Sequence, residues 1–320
     1  MKEASVDLKI EKAVSRRKKG NVFKSETVQL LLLCMPAIIL VFVFSYIPMI
    51  GIILPFKRFQ YDQGIFGSEW IGLKNFMFFF KSDTAWVITR NTLLLNALFI
   101  FLHTIVQVGM AMFLCEIQNK RLIKTFQSIT ILPSFVSWVI VGCMSYLLLN
   151  PELGIINQVL GAFGIDGVQW YSVPKAWPGI LAVAHLWKGT GINLIIYYAA
   201  LIGIDTQYYE AADLDGATKW QKTIHISVPE LVPQITILTI LAIGNIFRAD
   251  FGMFYQLTRN ISILYPTTDV IDTYVYRCLK ENGNIGMSSA VSFLQSVVGF
   301  ILVLATNLIV KRKDPDRALF

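Results

Sequence analysis

Residues 208–233 read YYEAADLDGATKWQKTIHISVPELVP, a polar and charged stretch set between two long apolar segments. A chain that only had to reverse direction there could do so in a few residues. Asp205 is placed to cap a helix whose first turn is Thr206–Tyr209, with Glu210 near the positive end of its dipole. Gly216 suits the left-handed residue that closes such a helix. Thr218 and Gln221 then have the T-x-x-Q spacing of a capping box, which opens a second helix. Pro229 is expected to end it, because proline lacks an amide and disfavours the α region just before it. Residues 204–228 therefore predict helix, glycine turn, helix, each piece about 12–15 Å long. Ala211, Ala212 and Ala217 leave room for another surface to approach closely.

The flanking segments decide where this connection sits. Of 320 residues, 55% are hydrophobic and only 15% charged, against about 25% charged in an ordinary soluble domain. The charges fall in short blocks separated by six apolar stretches, about 28–53, 91–115, 126–149, 178–203, 231–247 and 288–310. A hydrocarbon core of ~30 Å takes about 20 helical residues, and only helices satisfy every backbone polar group within one segment in lipid. The expectation is an all-α integral membrane protein with six transmembrane helices in one domain, 28–310, between a basic tail 1–27 and a tail 311–320. The fifth stretch is the shortest, with Asn245, Arg248 and Asp250 at its end. The first exceeds the 7–15 residues of a signal h-region and has no small-residue cleavage pattern after it, so it is expected to stay.

Seventeen Lys/Arg lie in 1–27, 116–125, 204–228 and 311–320, ten lie in the longer segments of the other side, and Lys188 falls inside the fourth stretch. The positive-inside rule then places both termini, and the 204–228 connection, in the cytoplasm. The net charge of +7 is on this reading a topology signal. It is not a nucleic-acid footprint, which needs a basic stripe with stacking aromatics on a soluble domain. Cys34, Cys115, Cys143 and Cys278 have no metal or redox spacing, and His103, His185 and His225 look scattered, so no metal site is expected.

No Asp or Glu falls within the six stretches. Ion-coupled carriers commonly keep a carboxylate there, so a secondary carrier is the weaker alternative, although backbone carbonyls can also bind sodium. The chain also lacks G-x-x-x-x-G-K-[ST], the loop whose amides cradle nucleotide phosphates. Energy for uphill transport would have to come from another subunit gripping the cytoplasmic side, and 204–228 is the available handle; the alternative for this pattern is an amphipathic hairpin lying on the headgroups with no partner.

Glu210-Ala211-Ala212, three residues, Gly216, nine residues, Ile226, one residue, Val228-Pro229 resembles the EAA signature of permease subunits in binding-protein-dependent ABC importers. Val228 in place of leucine is the one departure. SEWIGLKNF (68–76), RNTLLLN (90–96), LPSFVSWVIV (132–141), DVIDTYVYR (269–277) and NLIVKRKDPDRALF (307–320) are similar to the saccharide branch, the polysaccharide/aldouronate-type permeases. The resemblance implies the type I ABC importer permease fold, a bacterial plasma-membrane location and a non-catalytic chain. It implies as partners a second permease, two ATPase subunits that bind ATP and magnesium, and an extracellular solute-binding lipoprotein. The cargo would be a saccharide, with another solute in the same machinery as the alternative. Glu210, Ala211, Ala212, Asp213, Gly216 and Ala217 would form the coupling element seated in the ATPase.

Saccharide contacts combine aromatic rings with amides and hydroxyls, and Trp138, Trp187, Asn193, Asn245 and Gln295 are the candidates in the stretches. For any one of them, interhelical packing or hydrogen bonding is the competing and more ordinary role. Lys188 and Arg248 need a partner, because an unpaired charge in a membrane is costly. Snorkelling, a helix end, a wet cavity or an anionic ligand would satisfy Lys188; an acidic sugar such as a uronate would suit Lys188 and Arg248 together, and Asp250 could instead neutralise Arg248. On the other side, 154–165 has amphipathic spacing, and Val270, Tyr274 and Cys278 form one helical stripe. Both could cap the path and receive a binding protein, or pack on other loops.

Overall fold

In the structure, a computed structural model that describes residues 22–281 and 283–313, the apolar runs are helices. Residues 1–21 and 314–320 of the two expected tails lie outside the described residues. Helix α1 (Val22–Val41) continues through a π turn (Phe42–Tyr46) and 3-10 turns (Ile47–Phe56). Residues 28–50 are exposed throughout, so this span packs little against its own chain. Its far end meets the bundle at Phe56, whose ring lies 5.8 Å from that of Phe293. A two-stranded hairpin follows, β1 (Lys57–Arg58) antiparallel to β2 (Glu69–Trp70).

Helix α2 (Asp83–Cys115) starts about two turns before the expected 91. The Ser82 side chain caps it by accepting from the Thr84 amide, and Asp83 favours the positive end of the dipole. It packs along α5 (Trp177–Ile202) over much of its length. The third apolar stretch is not one helix. Helix α3 (Lys120–Ile131) ends in a 3-10 turn (Leu132–Phe135), and α4 (Trp138–Leu149) leaves at 97°. Pro133 has no amide to continue α3, and Val136 and Ser137 are extended, with ψ 131° and 150°. The Ser137 side chain then caps α4 by accepting from the Ile140 amide.

The connection contains α6 (Thr206–Leu214) and α7 (Lys219–Lys222). Pro229 does not end the second helix as its position suggests. From Lys219 the helix runs through a π turn (Thr223–Ser227) into α8 (Val228–Gly244), and the whole forms one span of 26 residues. The wider π turn sits immediately ahead of Pro229, where its ring would otherwise press on the preceding turn. Beyond α8 come α9 (Phe251–Thr258), α10 (Ile271–Lys280) and the last span, α11 (Ile285–Lys313). Counting the bent pair as one, six segments among the described residues are long and apolar enough to cross a membrane.

The core divides by depth. Ala111, Leu114, Leu194, Tyr197, Leu201 and Leu231 lock α2, α5 and α8 at the end bearing the connection. Phe99, Trp177, Leu181, Met253, Phe254 and Leu257 fill the opposite end. There Val270 and Cys278 are buried, and Tyr274 packs toward Phe79, so that stripe is used for packing. In the 154–165 segment, Asn157 is likewise buried, tied to Pro151, Val168 and Trp170.

Candidate functional site

Asp205 accepts from the Gln207 amide at 3.0 Å and starts α6. Gly216 closes it at φ +71°, with the Ala217 amide donating back to the Ala212 carbonyl at 2.9 Å. This is the six-to-one bond of a Schellman turn, and a Cβ at Gly216 would be strained even though the space around it is open. Thr218 and Gln221 form a full capping box. Two side-chain links tie the halves together: Lys222 Nζ to Asp213 Oδ1 at 2.7 Å, and the Tyr209 and Ser227 hydroxyls at 2.9 Å. A third, between exposed groups, joins Lys219 to Glu116 at the end of α2.

Glu210, Ala211, Asp213 and Gly216 are exposed, and Ala212 and Ala217 are half-buried beneath them. Glu210 lies mid-helix, away from the first turn, and has no ion pair among the described residues. Sequence reasoning missed the apolar groups beside them. Leu214 at the tip is 91% exposed, Trp220 71% and Tyr208 59%. These large apolar side chains stand exposed at a polar, charged tip. Their signal in the sequence is that Tyr208, Leu214 and Trp220 stand among charges.

The other candidates divide into separate places. At the bend of the third span, Lys188 Nζ donates to the Ser134 carbonyl at 2.8 Å and lies 5.3 Å over the Trp138 ring. Lys188 is therefore held by a helix end. Trp138 Nε1 donates to Asp250 Oδ2, and Oδ1 of the same carboxylate caps α9 at Met253. Asp250 thus has other work than neutralising Arg248, which donates to Ser296 Oγ and lies within electrostatic reach of Asp272. Gln295 is buried and donates to Phe247 O and Asp272 Oδ2. Trp187 faces an apolar groove of about 600 Å³ between α4 and α5.

Asn193 and Asn245 alone among these candidates share a cavity, of about 300 Å³ between α2, α5 and α8. The structure also overturns the scattered reading of the histidines. His103 Nε2 and His185 Nδ1 lie 2.7 Å apart in that cavity, with Gln107 Nε2 2.8 Å from His103 Nδ1. No cluster of three or more metal-ligating residues occurs among the described residues. A signal for the cavity existed in the spacings: Asn96, His103 and Gln107 share one face of α2, as do His185, Gly189, Asn193 and Tyr197 on α5.

Fold and site together define a multi-span membrane permease with an exposed helix–turn–helix at one end. Residues 107–315 match the family model described as binding-protein-dependent transport system inner membrane component, and the chain belongs to that family. It is 34% identical over 283 residues to the Bacillus subtilis polygalacturonan/rhamnogalacturonan transport system permease protein YteP, covering 88% of each chain. It is 26% identical to the Halalkalibacterium halodurans arabinooligosaccharides transport system permease protein AraP, over 88% of this chain and 87% of that one. Among solved structures it is similar, at TM-score 0.81 and 31% identity, to a chain of a bacterial ABC transporter involved in the import of the acidic polysaccharide alginate. That match covers 92% of this chain and 99% of the other. The fold is thus that of a type I ABC importer permease, and the chain is a transport subunit of a binding-protein-dependent importer.

Proposed function

We propose that this permease imports an oligosaccharide by alternating access, as one half of a permease pair, and that a separate ATPase drives it through residues 204–228. The carrying observation is mechanical. An internally bonded helix–turn–helix, with Leu214 and Trp220 projecting, is continuous with the 26-residue span that begins at Lys219. An ATPase closing on ATP and magnesium would displace α6 and α7, and the span would tilt as a rod. Glu210, Ala211, Ala212, Asp213, Gly216 and Ala217 would form the seat. Both termini would be cytoplasmic, and an extracellular solute-binding lipoprotein would deliver cargo at the opposite end.

The saccharide class is supported by the polygalacturonan, rhamnogalacturonan and arabinooligosaccharide named for similar permeases. A second support is the similarity to the alginate transporter solved with an alginate pentasaccharide-bound periplasmic protein. Co-purification from the native membrane, followed by uptake into vesicles loaded with ATP and lacking ion gradients, tests the proposal. The expected result is an associated ATPase and ATP-dependent oligosaccharide uptake. Uptake that needs an ion gradient and no ATPase would establish the secondary-carrier alternative instead.

A further inference from the structure

Lys120, Arg121 and Lys124, at the start of α3, are exposed and make no ion pair or side-chain hydrogen bond among the described residues. No Asp or Glu occurs from 117 to 151, and Glu116, just ahead, is taken by Lys219 at 2.8 Å. Lys120 and Lys124, four residues apart on one helix, repel each other. An anion held among the three would relieve that repulsion.

Further along the same helix lies an apolar groove. Val106 and Met110 of α2, Ile129 of α3, Pro133 at the bend and Trp187 of α5 line a space of about 340 Å³. The groove's two hydroxyls are spent on their own helices. Thr130 donates to Phe126 O at 2.7 Å and Thr190 to Leu186 O at 2.5 Å. Gly191 sets the depth, because a Cβ there would come within 2.5 Å of Thr130 O and part α3 from α5. Gly191 lies about 16 Å before the end of α5 at Ile202, and Ile129 about 14 Å beyond Lys120. Both lengths match the ~15 Å of hydrocarbon in one leaflet. Between cations and groove, Phe113 and Leu122 present exposed apolar surface.

We propose that Lys120, Arg121 and Lys124 bind the phosphate of an anionic phospholipid whose acyl chain passes Leu122 and lodges in the groove beside Pro133. Arg121 can fork onto two phosphate oxygens while the lysines act as point charges. A helix 10–12 Å across would fill about 400 Å³ in a single turn, so the groove takes a chain and not a helix. An acidic protein surface could pair with the cations, but it could not reach a groove at that depth in hydrocarbon. The lodged chain would brace the bend at Pro133 from the lipid side.

Fluorescence of the whole transporter in phosphatidylcholine nanodiscs at fixed salt tests this. The titrant is phosphatidylglycerol or phosphatidylcholine with bromine near the chain end, which quenches an indole that it touches. The share of quenching that Trp187→Phe removes reports the groove. Phosphatidylglycerol should quench that share at a lower mole fraction than phosphatidylcholine does. Lys120→Gln, Arg121→Gln and Lys124→Gln should each raise the required fraction about 5-fold, the attraction of one cation near the surface. Val106→Phe fills the groove and should abolish the Trp187 share. Inorganic phosphate should not displace the lipid, since it cannot occupy the groove, and displacement would make this a site for free anions instead. Equal quenching by the two lipids, or an unchanged midpoint when all three cations are neutralised together, overturns the site. Loss of an associated ATPase from that triple variant, with lipid binding intact, would assign the cations to a protein partner.

Discussion

The Tyr209 hydroxyl lies 2.9 Å from the Ser227 hydroxyl, 18 residues further along the chain, and joins α6 to the π turn that leads into α8. Ser227 is buried and Tyr209 half-buried, so this bond is sheltered where the Lys219–Glu116 pair is not. With Lys222–Asp213 it makes the connection and the fifth span one body.

Tyr209→Phe should keep the fold and loosen that body. A hydrogen bond of this kind contributes about 1 kcal/mol, too little to unfold the chain and enough to let α6 move independently. The expected outcome is normal membrane abundance and ATP hydrolysis, with several-fold less oligosaccharide imported per ATP. Reconstituted vesicles give both rates, and an unchanged ratio would show that the link transmits nothing.

Gly216 stands at φ +71° with no atom within 4 Å of where a Cβ would sit, so substitution acts through the backbone alone. Gly216→Val should cost well over ~1 kcal/mol in the turn, and Gly216→Asn should be nearly neutral because asparagine tolerates the left-handed region. Uptake lost in the valine variant and kept in the asparagine variant is the expected pattern. Equal loss in both would point to a side-chain clash with the docked partner.

The residues that could be read correctly are those whose meaning is local. Asp205, Gly216, Thr218 and Gln221 each satisfy or close a helix end within four residues, and the sequence carries both partners of each bond. Pro229 is misleading because the π turn that accommodates it leaves no compositional mark. The bend at Pro133 is hidden for the opposite reason, since the run around it is apolar on both sides. His103 and His185 are 82 residues apart, and only the pairing of α2 with α5 brings them to 2.7 Å. Their helical stripes were visible, but the partner of each stripe was not.

Lys188 donates to the Ser134 carbonyl in the 3-10 turn that follows α3, and hydrogen bonds from charged groups are worth about 1.5–3 kcal/mol. Lys188→Met should therefore lower the thermal stability of the purified transporter. Any loss of uptake should be equal for neutral and uronic oligosaccharides, because the ammonium faces Ser134 and Trp138 and not the cavity. A loss confined to uronic substrates would return Lys188 to the path as a carboxylate-binding group.

Asp272, outside the membrane-spanning segments, gives a pH-dependent test of the packing at the far end. Burial pushes its carboxyl above the ordinary 3.8, against the opposing hydrogen bonds from the Ala249 amide and Gln295 and the attraction of Arg248. The folded chain therefore holds this proton more tightly than the unfolded one. The ionised carboxylate costs stability in full above the folded value, and the cost shrinks as pH falls through that value and vanishes below about 3.8. Both hydrogen bonds fall on Oδ2, so an asparagine carbonyl in that place can accept them. Asp272→Asn should raise thermal stability at neutral pH, and its advantage over the wild type should close on acidification toward pH 3.8. Melting curves of both proteins across that range measure the difference, in which the titration of every other carboxylate cancels. An advantage that widens on acidification would mean that the charge is stabilised in place, with Arg248 outweighing burial.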